Sequence, residues 1–274
     1  MDRPLAVAIP TCTGERSDIR IGYVLQALAM QGPSPHWNRF DIYIWDEGEA
    51  PITSDRWVQL LFDLLLRQGH QTFYLRRGPS RGVAEARRQL LASVPVEHER
   101  IVMLDDDLVP MPGAIEALLA GAERAGRFGF IQGSKIELDA NRRYPNDINQ
   151  LTRSTGETEL RPLWFGDAAF LLLDRRALQH VRWDRVARFT EEHLPGEDVA
   201  ITLMIADREP CFGLAAAEGF HMSLRAPRWR WDVPSDLLQM ELLRDIVSPE
   251  TLRRAMPHFA RYADAPALGP EPAD

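Results

Sequence analysis

Apolar residues fall along the first hundred positions in short blocks whose period changes from one block to the next. Leu5-Ala-Val-Ala-Ile-Pro10 is a continuous apolar run, the pattern of a strand buried on both faces. Ile21, Val24, Leu25 and Leu28 recur at helical spacing and predict a helix over 19–31. Phe40-Asp-Ile-Tyr-Ile-Trp45 alternates as a strand, 57–68 reads as a helix stopped by Gly69, and 72–75 is a short strand. A helix over 81–94 and a buried strand at Ile101-Val-Met-Leu104 complete the series. Strand and helix in strict turn imply parallel βαβ units and a doubly wound α/β sheet. Such sheets bind ligands beyond the carboxyl ends of their strands. Polar residues stand at those ends: Thr11, Asp46, Arg76 with Arg77, and Asp105-Asp106-Asp107.

The second half is less regular. A helix is expected over 112–124, with Pro112 in its first turn, and a strand over 128–138. Residues 139–156 read as a polar loop, and 163–173 contains a strand with a tight spot at Gly166-Asp167. A helix over 197–206 and a strand over 211–217 follow. Residues 222–235 have no clean period, and the Ala/Pro-rich 263–274 are expected to be a disordered tail. No internal repeat or linker divides the chain, so 1–262 is read as a single domain.

Charge and composition narrow the partners. With 32 Lys and Arg against 40 Asp and Glu the formal charge is −8, which disfavours nucleic acid as the main partner. Cys12 and Cys211 form no CxxC pair, so neither a disulfide framework nor a thiolate zinc site is expected. Lys135 is the only lysine. Met1-Asp2-Arg3-Pro4 opens no signal peptide, and the apolar run 60–66 carries Asp63 and is far too short to span a bilayer. A cytoplasmic protein is expected, with peripheral attachment to a membrane the alternative.

Asp105-Asp106-Asp107 is the strongest chemical signal. Three adjacent carboxylates repel one another, and folding does not require them. A hard divalent cation, Mg²⁺ or Mn²⁺, relieves the repulsion. In an extended segment Asp105 and Asp107 point the same way, so those two are expected to share one ligand assembly while Asp106 faces elsewhere. A solvated acidic turn is the alternative.

Placed after a buried strand, Leu104-Asp105-Asp106-Asp107 resembles the DxD motif of GT-A glycosyltransferases, most closely those of glycosyltransferase family 2. Other segments follow in that family's order. Val7-Ala-Ile-Pro-Thr11 resembles its first strand, Ile44-Trp-Asp46-Glu47-Gly48 its VDDGS turn, and Gly78-Pro-Ser-Arg81-Gly82-Val-Ala-Glu-Ala-Arg87 its N-x-G-x-x-x-A-R-N helix start. Gly196-Glu197-Asp198 resembles its ED motif, with His221 downstream. Glu49 and Arg88 depart from the family's usual Ser and Asn. The resemblance spans about residues 4–222. It implies a GT-A, Rossmann-like, mostly parallel sheet with flanking helices, a nucleotide-binding half of about 1–110 and a smaller acceptor-side half of about 111–262.

The resemblance also implies a UDP- or GDP-type sugar donor, a divalent cation and an acceptor hydroxyl. Asp107 and His221 would hold the metal, with Asp105 on the ribose hydroxyls or on the metal through water, and Asp106 also at the donor. Asp46 would hydrogen-bond the base, with help from Glu47, beside the main chain of Pro10 and Thr11. Arg81 would reach the nucleotide or its diphosphate, whereas Arg87 is read as a helix-face residue with a local salt bridge. Asp198 is the expected general base and Glu197 its orienting neighbour, though a plain helix cap explains the pair too. Trp164 and Asp167 are expected at the sugar, and Arg228 and Arg230 on a lid over the donor. A single base and the resemblance together imply an inverting displacement, which requires no carboxylate nucleophile. Two other readings are weighed. A sugar-phosphate nucleotidyltransferase needs a Gly-rich N-terminal loop, and 10–16 has one glycine. A non-catalytic nucleotide-sugar binding protein need not keep Asp198.

Overall fold

A computed structural model of the chain describes residues 4–12, 17–32, 34–77, 81–137, 158–191, 196–222 and 242–255. The first half builds strands and helices in the expected alternation: β1 (Pro4–Thr11), α1 (Ser17–Ala29), β2 (Arg39–Asp46), α2 (Arg56–Arg67), β3 (Gln71–Arg76), α3 (Val83–Ser93) and β4 (Arg100–Leu104). Local chemistry sets the boundaries. Asp55 caps α2 by accepting from the backbone N–H of Trp57 and Val58, and Gly69, at φ +88°, turns the chain after its last residues.

The second half contributes β5 (Leu108–Pro110), α4 (Ala114–Ala125), β6 (Phe130–Glu137), β7 (Leu160–Pro162), β8 (Phe170–Asp174), α5 (Trp183–Glu191), α6 (Glu197–Ala206) and β9 (Phe212–His221). Pro112 lies before α4, whose N-cap is Gly113 at φ +80°. β9 runs four residues beyond the expected strand, so His221 ends it instead of following it. The short strands β5 and β7 and the helix α5 have no counterpart in the sequence reading.

The strands form one nine-stranded sheet in the order β3-β2-β1-β4-β8-β6-β9-β5, with β7 on β9. β3, β2, β1 and β4 are parallel, as βαβ units require. β8 then enters antiparallel to both β4 and β6, and β6 pairs with β9 in parallel. This is the α/β class that the alternation implies. Strand residues alternate between two apolar layers. Ala6, Ala8, Ile101 and Met103 face the layer of α3, α5 and α6; Val7, Ile9, Val102 and Leu104 face that of α1, α2 and α4.

The chain leaves β1 toward β2 on one side and comes back to β4 on the other. A crevice therefore opens between the carboxyl ends of β1 and β4, the switch point at which doubly wound sheets bind ligands. Thr11 and Asp105-Asp106-Asp107 stand at that point.

Candidate active site

The crevice is a cleft of about 250 Å³ lined by Pro10, Thr11, Cys12, Arg20, Glu47, Val83, Ala86, Arg87, Asp105, Asp106 and Asp107. Six of the expected residues meet here: Pro10, Thr11, Glu47 and the three aspartates. A larger hollow of about 590 Å³ lies at the far end of α6; of its two acidic wall residues, Asp207 accepts from the backbone N–H of Ser248 and Asp245 lies at the exposed rim. It holds none of the cleft carboxylates.

The three aspartates fan out. They lie in a turn closed by Leu108 N–H donating to Asp105 O, so the alternation of an extended segment does not apply. Asp105 accepts from Arg87 at 2.7 Å. Asp106 accepts from the Thr11 hydroxyl at 2.7 Å. Asp107 faces His221, with Oδ1 3.4 Å from Nε2, and accepts from Arg20 at 3.3 Å. Asp105 thus leans toward an arginine, whereas Asp107 faces His221. Among the described residues no group of three or more His, Cys, Asp or Glu converges as a metal site. A carboxylate oxygen beside an imidazole nitrogen nevertheless suits Mn²⁺ or Mg²⁺, with remaining positions for phosphate oxygens and water.

Electrostatics separate neighbouring carboxyls. Burial pushes Asp106 up to about 7, with Asp107 adding to it and Arg20 and Thr11 opposing. Burial acts on Asp107 as well, but His221, Arg20 and Lys135 outweigh it and hold its pKa below the usual carboxylate value. Of these two neighbours Asp107 is therefore the one held ionised.

Arg87 connects the two halves of the site. Its side chain, 4% exposed, donates to Asp105 at the end of β4 and, at 3.2 Å, to Glu197 at the start of α6. Burial works against its charge, but Asp105, Glu197 and Asp198 outweigh that cost and raise its pKa. Its Nε has no partner among the described residues. The local, helix-face role expected for Arg87 is corrected by these two long-range contacts. Arg20 is a second cationic residue that the sequence reading passed over. The signal for both was position, since each sits in the first turns of a helix that follows a sheet strand.

Asp198 lies beside Glu197 in the first turn of α6, and its Oδ1 accepts from Val199 N–H at 2.8 Å. Burial and the Glu197 charge raise its pKa, with Arg87 pulling the other way. The helix dipole favours the ionised form, yet burial prevails.

Asp46 does not line the cleft. Fully buried, it accepts from Gly48 N–H at 2.8 Å, Ile52 N–H at 3.1 Å and the Tyr74 hydroxyl at 2.6 Å. Its expected contact with a nucleotide base is corrected: it builds the turn, and Glu47 faces the cleft. Glu47 accepts from Trp45 Nε1 at 3.0 Å and from Arg81 N–H at 3.1 Å. Arg81 is exposed, joined to the site through that backbone contact.

On the acceptor side, Asp167 pairs with Lys135 at 2.6 Å and accepts from Ala169 N–H. Trp164 is half-buried against the α6 layer, and Arg254 lies over its ring at 4.4 Å. A cation therefore covers that face of the ring. Arg228, Arg230 and the expected lid lie outside the described residues, as does the loop 139–156.

The family model for Glycosyl transferase family 2 matches residues 7–182, and the chain belongs to that family. No curated protein matches the chain. Among solved structures it is similar to residues 1–349 of TarS from S. aureus, at 15% identity and TM-score 0.58, over 95% of this chain and 78% of that one. It is also similar to the mannosyltransferase PcManGT from Pyrobaculum calidifontis in complex with GDP-Man and Mn²⁺, at 15% identity and TM-score 0.56, over 97% and 76%. GalNAc-T7 with UDP, GalNAc and Mn²⁺ gives 12% identity and TM-score 0.56, and the chain spans 47% of its length. At such identities these likenesses establish the GT-A fold alone. No helix among the described residues is long and apolar enough to cross a membrane.

Proposed function

We propose that the protein is an inverting, divalent-cation-dependent glycosyltransferase that moves a sugar from a UDP- or GDP-type donor to an acceptor hydroxyl. The observation that carries this reading is the Asp105–Arg87–Glu197 bridge, which ties the donor crevice to the Asp198 end of α6. Two of the similar structures hold a nucleotide or nucleotide sugar with Mn²⁺, which agrees with it.

Asp107 and His221 would hold the cation. When bound, it supplies Lewis-acid neutralisation of the departing diphosphate. Thr11 and Glu47 line the nucleotide side, with Arg81 at its edge, and Asp106 is held by Thr11. Asp105, anchored by Arg87, remains available to the ribose hydroxyls. On the opposite side Asp198 takes the acceptor's proton as its oxygen attacks the anomeric carbon, and Glu197 orients that base. The raised pKa of Asp198 makes it a stronger base than an ordinary aspartate. A single base with in-line attack inverts the anomeric centre. The domain reading of 1–262 and a cytoplasmic location, with peripheral membrane attachment as the alternative, belong to the same proposal.

Nucleotide release from a panel of UDP- and GDP-sugars, measured with Mn²⁺ and with EDTA, tests it. Release with Mn²⁺ that stops with EDTA is expected. Turnover insensitive to the chelator would remove the cation from the mechanism, and no release from any donor would remove the activity.

A further inference from the structure

Ile21, Val24, Leu25 and Leu28 bury one face of α1 in the apolar layer against the sheet. Arg20, next to Ile21 in the first turn, is thereby held at the crevice between β1 and β4, where it lines the cleft. Its side chain is 13% exposed. Nη1 donates to Asp107 Oδ2 at 3.3 Å, and Nη2 stands 4.0 Å from Asp106 Oδ1. The two oxygens of Asp107 are thus divided: Oδ2 faces Arg20 and Oδ1 faces His221.

The cleft wall carries Glu47, Asp105, Asp106 and Asp107 against two guanidinium groups, Arg20 and Arg87. A diphosphate entering it meets mostly its own sign and needs a cation with donors to offer. Arg87 has few, because it is joined to Asp105 at 2.7 Å and to Glu197 at 3.2 Å. Arg81, expected at the diphosphate, is exposed and does not line the cleft. Arg20 is held more loosely. Its one hydrogen bond among the described residues is longer than the about 2.7–2.9 Å of a well-made charged pair, and its Nε has no partner among them. A guanidinium carries five donors in a planar fork that matches phosphate oxygens two at a time. The same charge acts on ions: a guanidinium beside Asp107 repels any other cation that approaches that carboxylate. A diphosphate in the cleft reverses the effect, since it attracts both.

We propose that Arg20 is a diphosphate-binding residue of the cleft, and that its standing contact with Asp107 keeps a free divalent ion out until the diphosphate is there. With a diphosphate in place, the unused donors of Arg20 meet phosphate oxygens, and its charge is shared between them and Asp107. The inference rests on the donor reading above and adds an order to it: ion and nucleotide enter together, not the ion first.

Two measurements on the wild type, Arg20→Met and Arg20→Lys test it. One is binding of Mn²⁺ alone, read from the electron paramagnetic resonance signal of the free ion. The other is calorimetry of UMP, UDP, GMP and GDP at saturating Mn²⁺. Arg20→Met should bind Mn²⁺ alone about three- to tenfold more tightly, because a repelling charge is gone. It should also lose about tenfold of the preference for diphosphate over monophosphate, the scale of a hydrogen bond to a charged group, with monophosphate affinity unchanged. The two shifts have opposite sign, whereas a local loss of structure weakens both. Arg20→Lys retains the charge without the fork. It should bind Mn²⁺ alone as the wild type does and recover only part of the diphosphate preference, and this result carries the test if Arg20→Met fails to fold. A diphosphate preference unchanged in both variants, or Mn²⁺ binding unchanged or weakened in Arg20→Met, overturns the inference and leaves Arg20 a clasp between α1 and the aspartate turn. So does a wild type that binds diphosphates no better than monophosphates. Failure of all four nucleotides to bind the wild type would bring down the donor reading, and this inference with it.

Discussion

Arg87 and Glu197 lie 110 positions apart in the sequence and 3.2 Å apart in the fold. The contact joins the start of α3 to the start of α6, and the other arm of the guanidinium holds Asp105. One buried cation thus links the cleft at the end of β4 to the start of α6.

Replacing that cation is expected to be costly. Arg87→Met leaves Asp105 and Glu197 without their shared partner, and breaking a buried pair from one side costs about 3–5 kcal/mol. Urea unfolding should show a loss on that scale. Arg87→Lys retains charge but not two divergent donors, so it should recover part of the stability and little of the transfer rate.

Asp198→Asn is expected to leave nucleotide binding intact and to lower transfer by about 10²–10⁴-fold, the usual contribution of a general base. The base acts in its ionised form, and its pKa is raised by burial and by Glu197. Activity should therefore rise with pH through a limb above the ordinary carboxylate range, visible in a kcat/KM profile. Glu197→Gln removes a neighbouring negative charge, so the limb should move to lower pH. A limb that stays in place would assign the titration to another group.

Asp107→Asn and His221→Ala each remove one member of the cation pair. Nucleoside diphosphate should still bind weakly, but the extra thermal stabilisation given by Mn²⁺ should vanish, because a ligand of the folded form raises apparent stability only as far as it binds. Asp105→Asn should retain that Mn²⁺-dependent increment, since Asp105 faces Arg87.

Stability itself should depend on pH through His70. This buried ring accepts the Phe40 backbone N–H at Nδ1, 3.0 Å away, so the native state holds it neutral, and burial lowers its pKa. Between the lowered native pKa and the unfolded value of about 6.5 the unfolded chain binds more protons. This contribution is complete above about pH 6.5 and is lost as the pH falls through the native pKa. Chemical unfolding at pH 5–8 should show the slope, and His70→Asn, which retains an acceptor, should flatten it. An NMR titration of the His70 ring with its midpoint at 6.5 or above would remove this explanation.

The sequence by itself determined the parallel half of the sheet and which residues stand at the ends of its strands. Period two in the strands and period 3.6 in the helices are local properties, and a polar residue that follows a buried strand stands at a carboxyl end whatever packs later. Thr11, the three aspartates, and Glu197 with Asp198 at a helix start were legible for that reason. The tertiary structure alone decided which carboxylate faces which partner. Spacing suggested Asp105 with Asp107, but a turn fans them toward Arg87 and His221; the WDEG turn suggested Asp46 at the ligand, but Tyr74 and two backbone N–H groups bury it. Arg87 read as a surface helix residue because its partners are remote in the chain. Ion pairs between distant segments leave no period in a sequence: they arise where low-dielectric burial makes an unpaired charge too costly and the nearest opposite charge, from whichever segment, must answer it.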